Sequence, residues 1–195
     1  MFVSTGAPEI EGNDISDNFA GSMSGYGNGG GICISSGTPV IRNNTISGNF
    51  AQNAGGGIYC EQSQPTITGN GITSNTAVDQ GGGGIYAYNA TPEIRENSIA
   101  NNAATGGNGD GGGICAIFGA PVIQSNTIEL NRGAFRGGGI FCEFADPRIW
   151  DNTIRQNRCD SYYGGGIASR DCTADIERNL LCDNYSAGYG GGIMY

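Results

Sequence analysis

Pro39 to Ile58 reads Pro-Val-Ile-Arg-Asn-Asn-Thr-Ile-Ser-Gly-Asn-Phe-Ala-Gln-Asn-Ala-Gly-Gly-Gly-Ile. Two motifs sit in it, Pro-x-Ile-x-x-Asn-x-Ile-x-x-Asn and Gly-Gly-Gly-Ile, and both recur along the chain. The glycine run closes on Ile32, Ile58, Ile85, Ile114, Ile140, Ile167 and Ile193, at spacings of 26, 27, 29, 26, 27 and 26 residues. A fixed period in that range marks an array of small units that bury their apolar faces against one another.

The same frame aligns two further columns. One holds Ile10, Ile41, Ile67, Ile94, Ile123, Ile149 and Ile176; the other holds Ile15, Ile46, Ile72, Ile99, Ile128, Ile154 and Leu181. Each unit thus carries three short alternating segments, too short and too β-branched for helices, with Gly, Asn, Ser and Pro at the breaks. Three strands per unit predict a coil of triangular section, stacked about 4.8 Å on its neighbours. Three parallel sheets then surround one narrow core, and the isoleucine columns become ladders inside it. At ~1.5–3 kcal/mol per buried isoleucine, such a core needs neither metal nor disulfide.

Two asparagine columns are equally regular: Asn13, Asn44, Asn70, Asn97, Asn126, Asn152, Asn179, and Asn18, Asn49, Asn75, Asn102, Asn131, Asn157, Asn184. Asparagine tolerates the left-handed backbone of a sharp corner, and its amide both donates and accepts, so copies can bond up and down a stack. The columns are expected to be structural ladders at the corners. Asn43, Asn89 and Asn184 also begin glycosylation triplets, but the corner already accounts for Asn184.

With these motifs in view, the chain resembles the right-handed parallel β-helix repeat proteins of the pectate-lyase-like superfamily. The resemblance covers essentially all of residues 1–195 and is specific for fold: an all-β right-handed β-solenoid of about seven coils, without evident caps. For function it is loose, since that architecture carries lyases, hydrolases, epimerases, adhesins and phage fibres. It implies an extracellular or cell-surface location, although the start, Met1-Phe2-Val3-Ser4-Thr5, is no signal peptide. Either an export signal has been removed, or the chain is an excerpt of a longer solenoid, or the protein is not secreted.

Net charge is −9 and the isoelectric point about 4.2, which argues against nucleic acid as a partner. No apolar run approaches the ~20 residues of a membrane-spanning helix. The seven cysteines are an odd number. Cys60 and Cys142 point inward and Cys33 and Cys115 outward, each pair three coils apart and too far to bridge. Cys159, Cys172 and Cys182 lie near the C-terminal end, with room for one disulfide. Without histidine or a CxxC motif, no metal site or cofactor is implied.

Column arithmetic pairs Glu11 with Arg42, Glu129 with Arg155, Glu143 with Arg170, Arg148 with Asp175 and Asp151 with Arg178, one coil apart. Arg132 and Arg158 stack on each other instead, with Arg136 in the adjoining loop. They are either a candidate anion site or arginines that take loop carboxylates such as Asp160. On the strand after each glycine run, one outward column reads Phe2, Cys33, Tyr59, Tyr86, Cys115, Phe141, Ala168, Met194, and the next includes Glu61, Tyr88, Ile117, Glu143, Arg170. By resemblance this sheet carries a sugar groove. Tyr59, Tyr86, Tyr88 and Phe141 would offer ring faces to pyranoses, with Glu143 beside them; the plainer alternative is aromatic stacking that stabilises the sheet.

Catalytic patterns are thin. No stacked acids form a calcium cage on that sheet, no paired aspartates stand out and histidine is absent. Gly106 to Asp110 resembles a calcium-binding repeat only once, and Gly25 to Gly30 reads as a loop, not a dinucleotide fingerprint. Met1 to Ser4 aligns with Ile32 to Ser35, and Ile193 to Tyr195 falls in the same strand position, so copies could stack head to tail. The sequence therefore points first to a non-catalytic, self-associating or surface-displayed scaffold, and second to a polysaccharide-binding module. A polysaccharide lyase or hydrolase comes third.

Overall fold

The alternating segments are strands, and each pairs with its own copy one coil away. The computed structural model describes residues 1–21 and 27–195, and among these the strands form four parallel sheets. Sheet I has eight strands, from Phe2–Val3 through Ile58–Glu61, Ile85–Tyr88, Ile114–Gly119 and Ile140–Ala145 to Ile193–Met194. Sheet II runs from Glu9–Glu11 to Asp175–Glu177 and sheet III from Asp14–Ser16 to Leu180–Cys182, seven strands each. These are the three expected sheets.

Sheet IV is an addition. Its seven strands have two residues each, from Phe19–Ala20 to Tyr185–Ser186, and follow the second asparagine column. Their second position carries small side chains, among which Ala51, Ala77, Ala104 and Cys159 are fully buried. A narrow corner accepts only such side chains. The loop reading of Gly25 to Gly30 falls partly outside the described residues.

The registers are those of the columns. Ile41 faces Ile67, Ile67 faces Ile94 and Ile94 faces Ile123 in sheet II, and Ile46, Ile72, Ile99 and Ile128 follow one another in sheet III. Nearly every column isoleucine from Ile32 to Ile167 is wholly excluded from solvent. All five stacked ion pairs form: Glu11–Arg42 at 2.7 Å, Glu129–Arg155 at 2.6 Å, Glu143–Arg170 at 2.9 Å, Asp151–Arg178 at 2.8 Å and Arg148–Asp175 at 4.0 Å. Most are exposed, and such pairs contribute about 0.2–1 kcal/mol each.

Both asparagine columns are continuous ladders. Asn44 donates from Nδ2 to Asn70 Oδ1 at 3.0 Å and to the Ile10 carbonyl at 2.8 Å, while its backbone N–H meets the same Asn70 oxygen at 2.9 Å. The pattern repeats coil after coil to Asn179 and Asn184. The corner conformation, however, belongs to a different residue than expected. In both columns the residue before the asparagine takes positive φ: Asn43 at 55°, Glu96 at 57°, Leu130 at 57° and Arg178 at 49°, among others. The asparagine must turn its amide inward to reach backbone groups, so its neighbour absorbs the reversal. A non-glycine residue there costs roughly 1–2 kcal/mol, and the ladder bonds hold it in place.

Each glycine of the run has its own reason. Gly137 adopts φ 63°, a conformation that side chains resist. A Cβ on Gly138 would lie 2.5 Å from the Arg158 carbonyl carbon and 2.5 Å from the Gly165 oxygen, and one on Gly139 would lie 3.1 Å from the Asn157 amide. Within the run the chain thus passes too close to the neighbouring coil for side chains. Gly138→Ala is expected to cost ~3 kcal/mol or to prevent folding. Gly71→Ala, whose Cβ would meet nothing within 4 Å, is expected to be neutral or slightly stabilising. Comparable losses in chemical melts of the two variants would remove the steric account.

All seven cysteines are free. Cys159 stands in sheet IV, Cys182 in sheet III and Cys172 just past the sheet I strand Ile167–Arg170, so the three do not meet in a disulfide. Burial pushes the Cys60, Cys115 and Cys142 thiols well above their usual range. No helix among the described residues is long and apolar enough to cross a membrane.

Candidate functional site

The outward face of sheet I has the aligned columns but not the exposed rings expected of it. Tyr59 and Tyr86 are only 7% and 5% exposed, and Phe141 is wholly buried. They pack with Cys115, Ala168 and Ala54 into a second apolar cluster, separate from the main core. The cover comes from the segment before each glycine run. Its residues stack as parallel bridges, Ala54 on Gly81, Gly81 on Asp110 and Arg136 on Tyr163, and lie against the first outward column. The rings of Tyr59 and Tyr86 face each other at 5.7 Å with 5° between planes, so their faces are already used. The ring faces of Tyr59, Tyr86 and Phe141 are thus turned to packing on the sheet.

Their polar edges remain available. Tyr59 donates to Glu61 Oε2 at 3.3 Å and Tyr86 to Gln80 Oε1 at 3.4 Å. Burial, with the Glu61 charge beside Tyr59, raises both phenols, so they stay protonated donors. Beside them runs a trough. A hollow of about 360 Å³ is lined by Asn28, Asn53, Ala54, Tyr59, Glu61, Gln80, Tyr86 and Tyr88. A second, of about 200 Å³, shares Gln80, Tyr86 and Tyr88 and adds Asn108, Asp110, Ile117, Arg136 and Glu143. A third, of about 280 Å³, shares Arg136 and reaches Ser169 and Arg170. Glu61, Tyr88, Ile117, Glu143 and Arg170 stand on five successive coils along this line, or about 19 Å at the usual strand spacing.

The middle of the trough holds a buried charge cluster. Arg136 Nε and Nη2 meet both oxygens of Asp110 at 3.1 and 2.7 Å, and its Nη1 donates to Glu143 Oε1 at 3.2 Å. Glu143 also receives Arg170. The Arg136 guanidinium lies over the Phe141 ring at 4.4 Å, which explains that ring's complete burial. Burial lifts the Asp110 carboxyl from 3.8 to about 6, against the opposing pull of Arg136.

Arg132, Arg136 and Arg158 are not one site. Arg132 and Arg158 face each other in sheet IV and share the Asp160 carboxylate, with Arg158 also over the Tyr185 ring at 4.8 Å. Burial would raise Asp160, but hydrogen bonds from Arg158 and Arg132 outweigh it and hold it below the usual range. Arg136 takes different partners altogether, because it belongs to the covering segment and points at sheet I.

Several trough residues escaped the sequence reading. Asn28, Ala54, Gly81, Asp110 and Tyr163 each stand four residues before the isoleucine of their glycine run, as does Arg136, which was singled out only as a partner of Arg132 and Arg158. That fixed offset put Asp110 and Arg136 in one column, although residue identity there is not conserved from coil to coil. Phe118 and Phe144 were also missed. They stack at 5.6 Å, with Tyr88 edge-on to Phe118 at 5.7 Å, and are 41% and 49% exposed at the trough's rim.

A stack of parallel coils with asparagine ladders and an open side trough defines a β-helix scaffold. The family described as right-handed β-helix region matches residues 1–106 and 70–195, which together take in the whole chain, and the protein belongs to that family. No curated protein and no solved structure matches the chain.

Proposed function

We propose that the protein is a non-catalytic, surface-displayed β-helix that binds a polysaccharide along the sheet I trough. The observation that carries this reading is the continuity of the trough over five coils. A repeating ligand meets a repeating wall there: amides from Asn28, Asn53, Gln80 and Asn108, phenol edges from Tyr59 and Tyr86, and the half-exposed Tyr88 ring. Scattered polar groups among aromatic side chains suit the hydroxyls and flat apolar faces of sugars. The backbone beneath is fixed by ladders, so little ordering cost falls on binding.

Titration calorimetry with soluble oligosaccharides tests it. Gln80→Ala and Tyr88→Ala are each expected to weaken binding about tenfold, ~1.4 kcal/mol, with the Gln80→Ala melting curve unchanged. A panel that shows no binding, or variants that bind like the parent, would sink the proposal. A second reading, self-association, draws on exposed apolar side chains in the outermost coils: Phe2, Phe19, Leu180 and Ile193 are 67%, 71%, 59% and 42% exposed. Sedimentation over a concentration range tests that independently, since the trough lies along the side of the stack.

A further inference from the structure

The charges of the trough are unequally compensated, and the imbalance narrows the class of polysaccharide. This step rests on the binding role just proposed. In the middle hollow, the guanidinium of Arg136 is taken up by Asp110 on one edge and Glu143 on the other, and Glu143 shares its charge with Arg170. Three of the five Arg136 N–H donors are engaged in this way and its side chain is only 13% exposed, so little of its charge faces an anionic sugar there. In the first hollow Glu61 is the one charged residue, and its carboxylate receives only the Tyr59 hydroxyl. Among the described residues it has no ion pair.

Glu61, Asp110, Glu143 and Asp171 against Arg136 and Arg170 leave two negative charges on the trough when Asp110 is ionised and one when it is protonated, inside a chain of net charge −9. A low-dielectric cleft of one sign concentrates ligands of the other. The surroundings of Glu61 also select among cations. The half-exposed Tyr88 ring lines the same hollow, and an open aromatic face near a carboxylate favours an ammonium group over bulk water. Asn28 and Asn53, joined at 2.8 Å, leave amide donors and acceptors for neighbouring hydroxyls.

We propose that the trough takes a polysaccharide carrying free amino groups, of the glucosamine type, with Glu61 as the partner of a sugar ammonium. Acidic polymers such as polyuronates are disfavoured by the same charge.

Three hexasaccharides of equal length separate the possibilities: a glucosamine hexamer, its N-acetylated counterpart and a galacturonate hexamer, each titrated into the intact protein at pH 5.5 and low salt. The glucosamine hexamer is expected to bind at least tenfold more tightly than the N-acetylated one, with the galacturonate hexamer weakest. Raising the salt should shrink that preference. In Glu61→Gln the two hexosamine ligands should bind within about twofold of each other. If the N-acetylated hexamer binds and the glucosamine hexamer gains nothing, the amino-sugar assignment is wrong while polysaccharide binding stands. A preference that survives Glu61→Gln also overturns the assignment, as does tightest binding of galacturonate. If none of the three binds, the assignment fails, and a wider panel that also fails removes the binding role.

Discussion

Asn126→Ala is expected to lower the unfolding free energy by about 2–4 kcal/mol, because buried groups left unpaired cost roughly 1–3 kcal/mol each. Asn126 Oδ1 accepts both the Asn97 backbone N–H and Asn97 Nδ2, each at 3.0 Å, while its own Nδ2 reaches the Ile94 carbonyl at 2.9 Å and Asn152 Oδ1 at 3.0 Å. Alanine strands the Asn97 N–H outright and opens a small void between two coils. Asn13→Ala removes less. Asn13 donates to Asn44 Oδ1 and the Glu11 carbonyl, is exposed and receives no ladder bond among the described residues. A loss of ~1 kcal/mol or less is expected there. Denaturant melts of the two variants decide the point: equal losses would mean that the ladder does not act as one continuous network.

Arg136→Met should be more damaging still, by about 3–5 kcal/mol at pH 8, since it leaves buried charge without a partner. Arg136 and Asp110 side chains are 13% and 6% exposed, so solvent screens the pair poorly. The effect should depend on pH with a definite sign. Asp110 has a folded-state pKa of about 6, above its ordinary 3.8. The folded protein therefore holds a proton that the unfolded chain releases between about pH 4 and pH 6. That contribution to stability is complete below pH 3.8 and is lost as pH rises through 6. Without Arg136 the carboxyl moves higher, so the variant recovers as Asp110 takes up its proton. The gap between parent and variant should be widest above pH 7 and clearly smaller at pH 5. A gap that stays constant from pH 5 to pH 8 would show that Asp110 does not titrate in the folded protein.

How much of this was legible in the sequence depends on whether residue identity repeats. The isoleucine and asparagine columns repeat almost without exception, and from them the sheets, their registers and five ion pairs follow. Sheet IV was not legible because Ala51, Ala77 and Ala104 carry no β-branched signature and its strands have only two residues. The left-handed corner was assigned to the asparagines by intrinsic preference. Leu130 and Glu96 adopt it instead, held by neighbours and not by propensity. The trough was half legible. The tyrosine columns were found, but the segment that buries them reads Ala54, Gly81, Asp110, Arg136, Tyr163 from coil to coil, and only its constant offset marks it as a column. Burial of an outward face depends on what folds over it, and alternation along the strand is silent about that.

The ladders also give the stack an electrical direction. From Asn13 to Asn152 and from Asn18 to Asn157, each side-chain amide points one N–H at the asparagine oxygen of the following coil, and from Asn44 and Asn49 onward each amide oxygen faces the preceding coil. Two rows of like-oriented dipoles run the length of the protein, and bonds in such chains polarise one another. Along a ladder, the face that looks back presents the asparagine oxygen beside one N–H aimed at a backbone carbonyl, and the face that looks forward presents two N–H donors beside that carbonyl. Two such faces can therefore join only as lock-step successors. Back to back, oxygen would confront oxygen, and the repulsion would fall on groups that have no water to turn to.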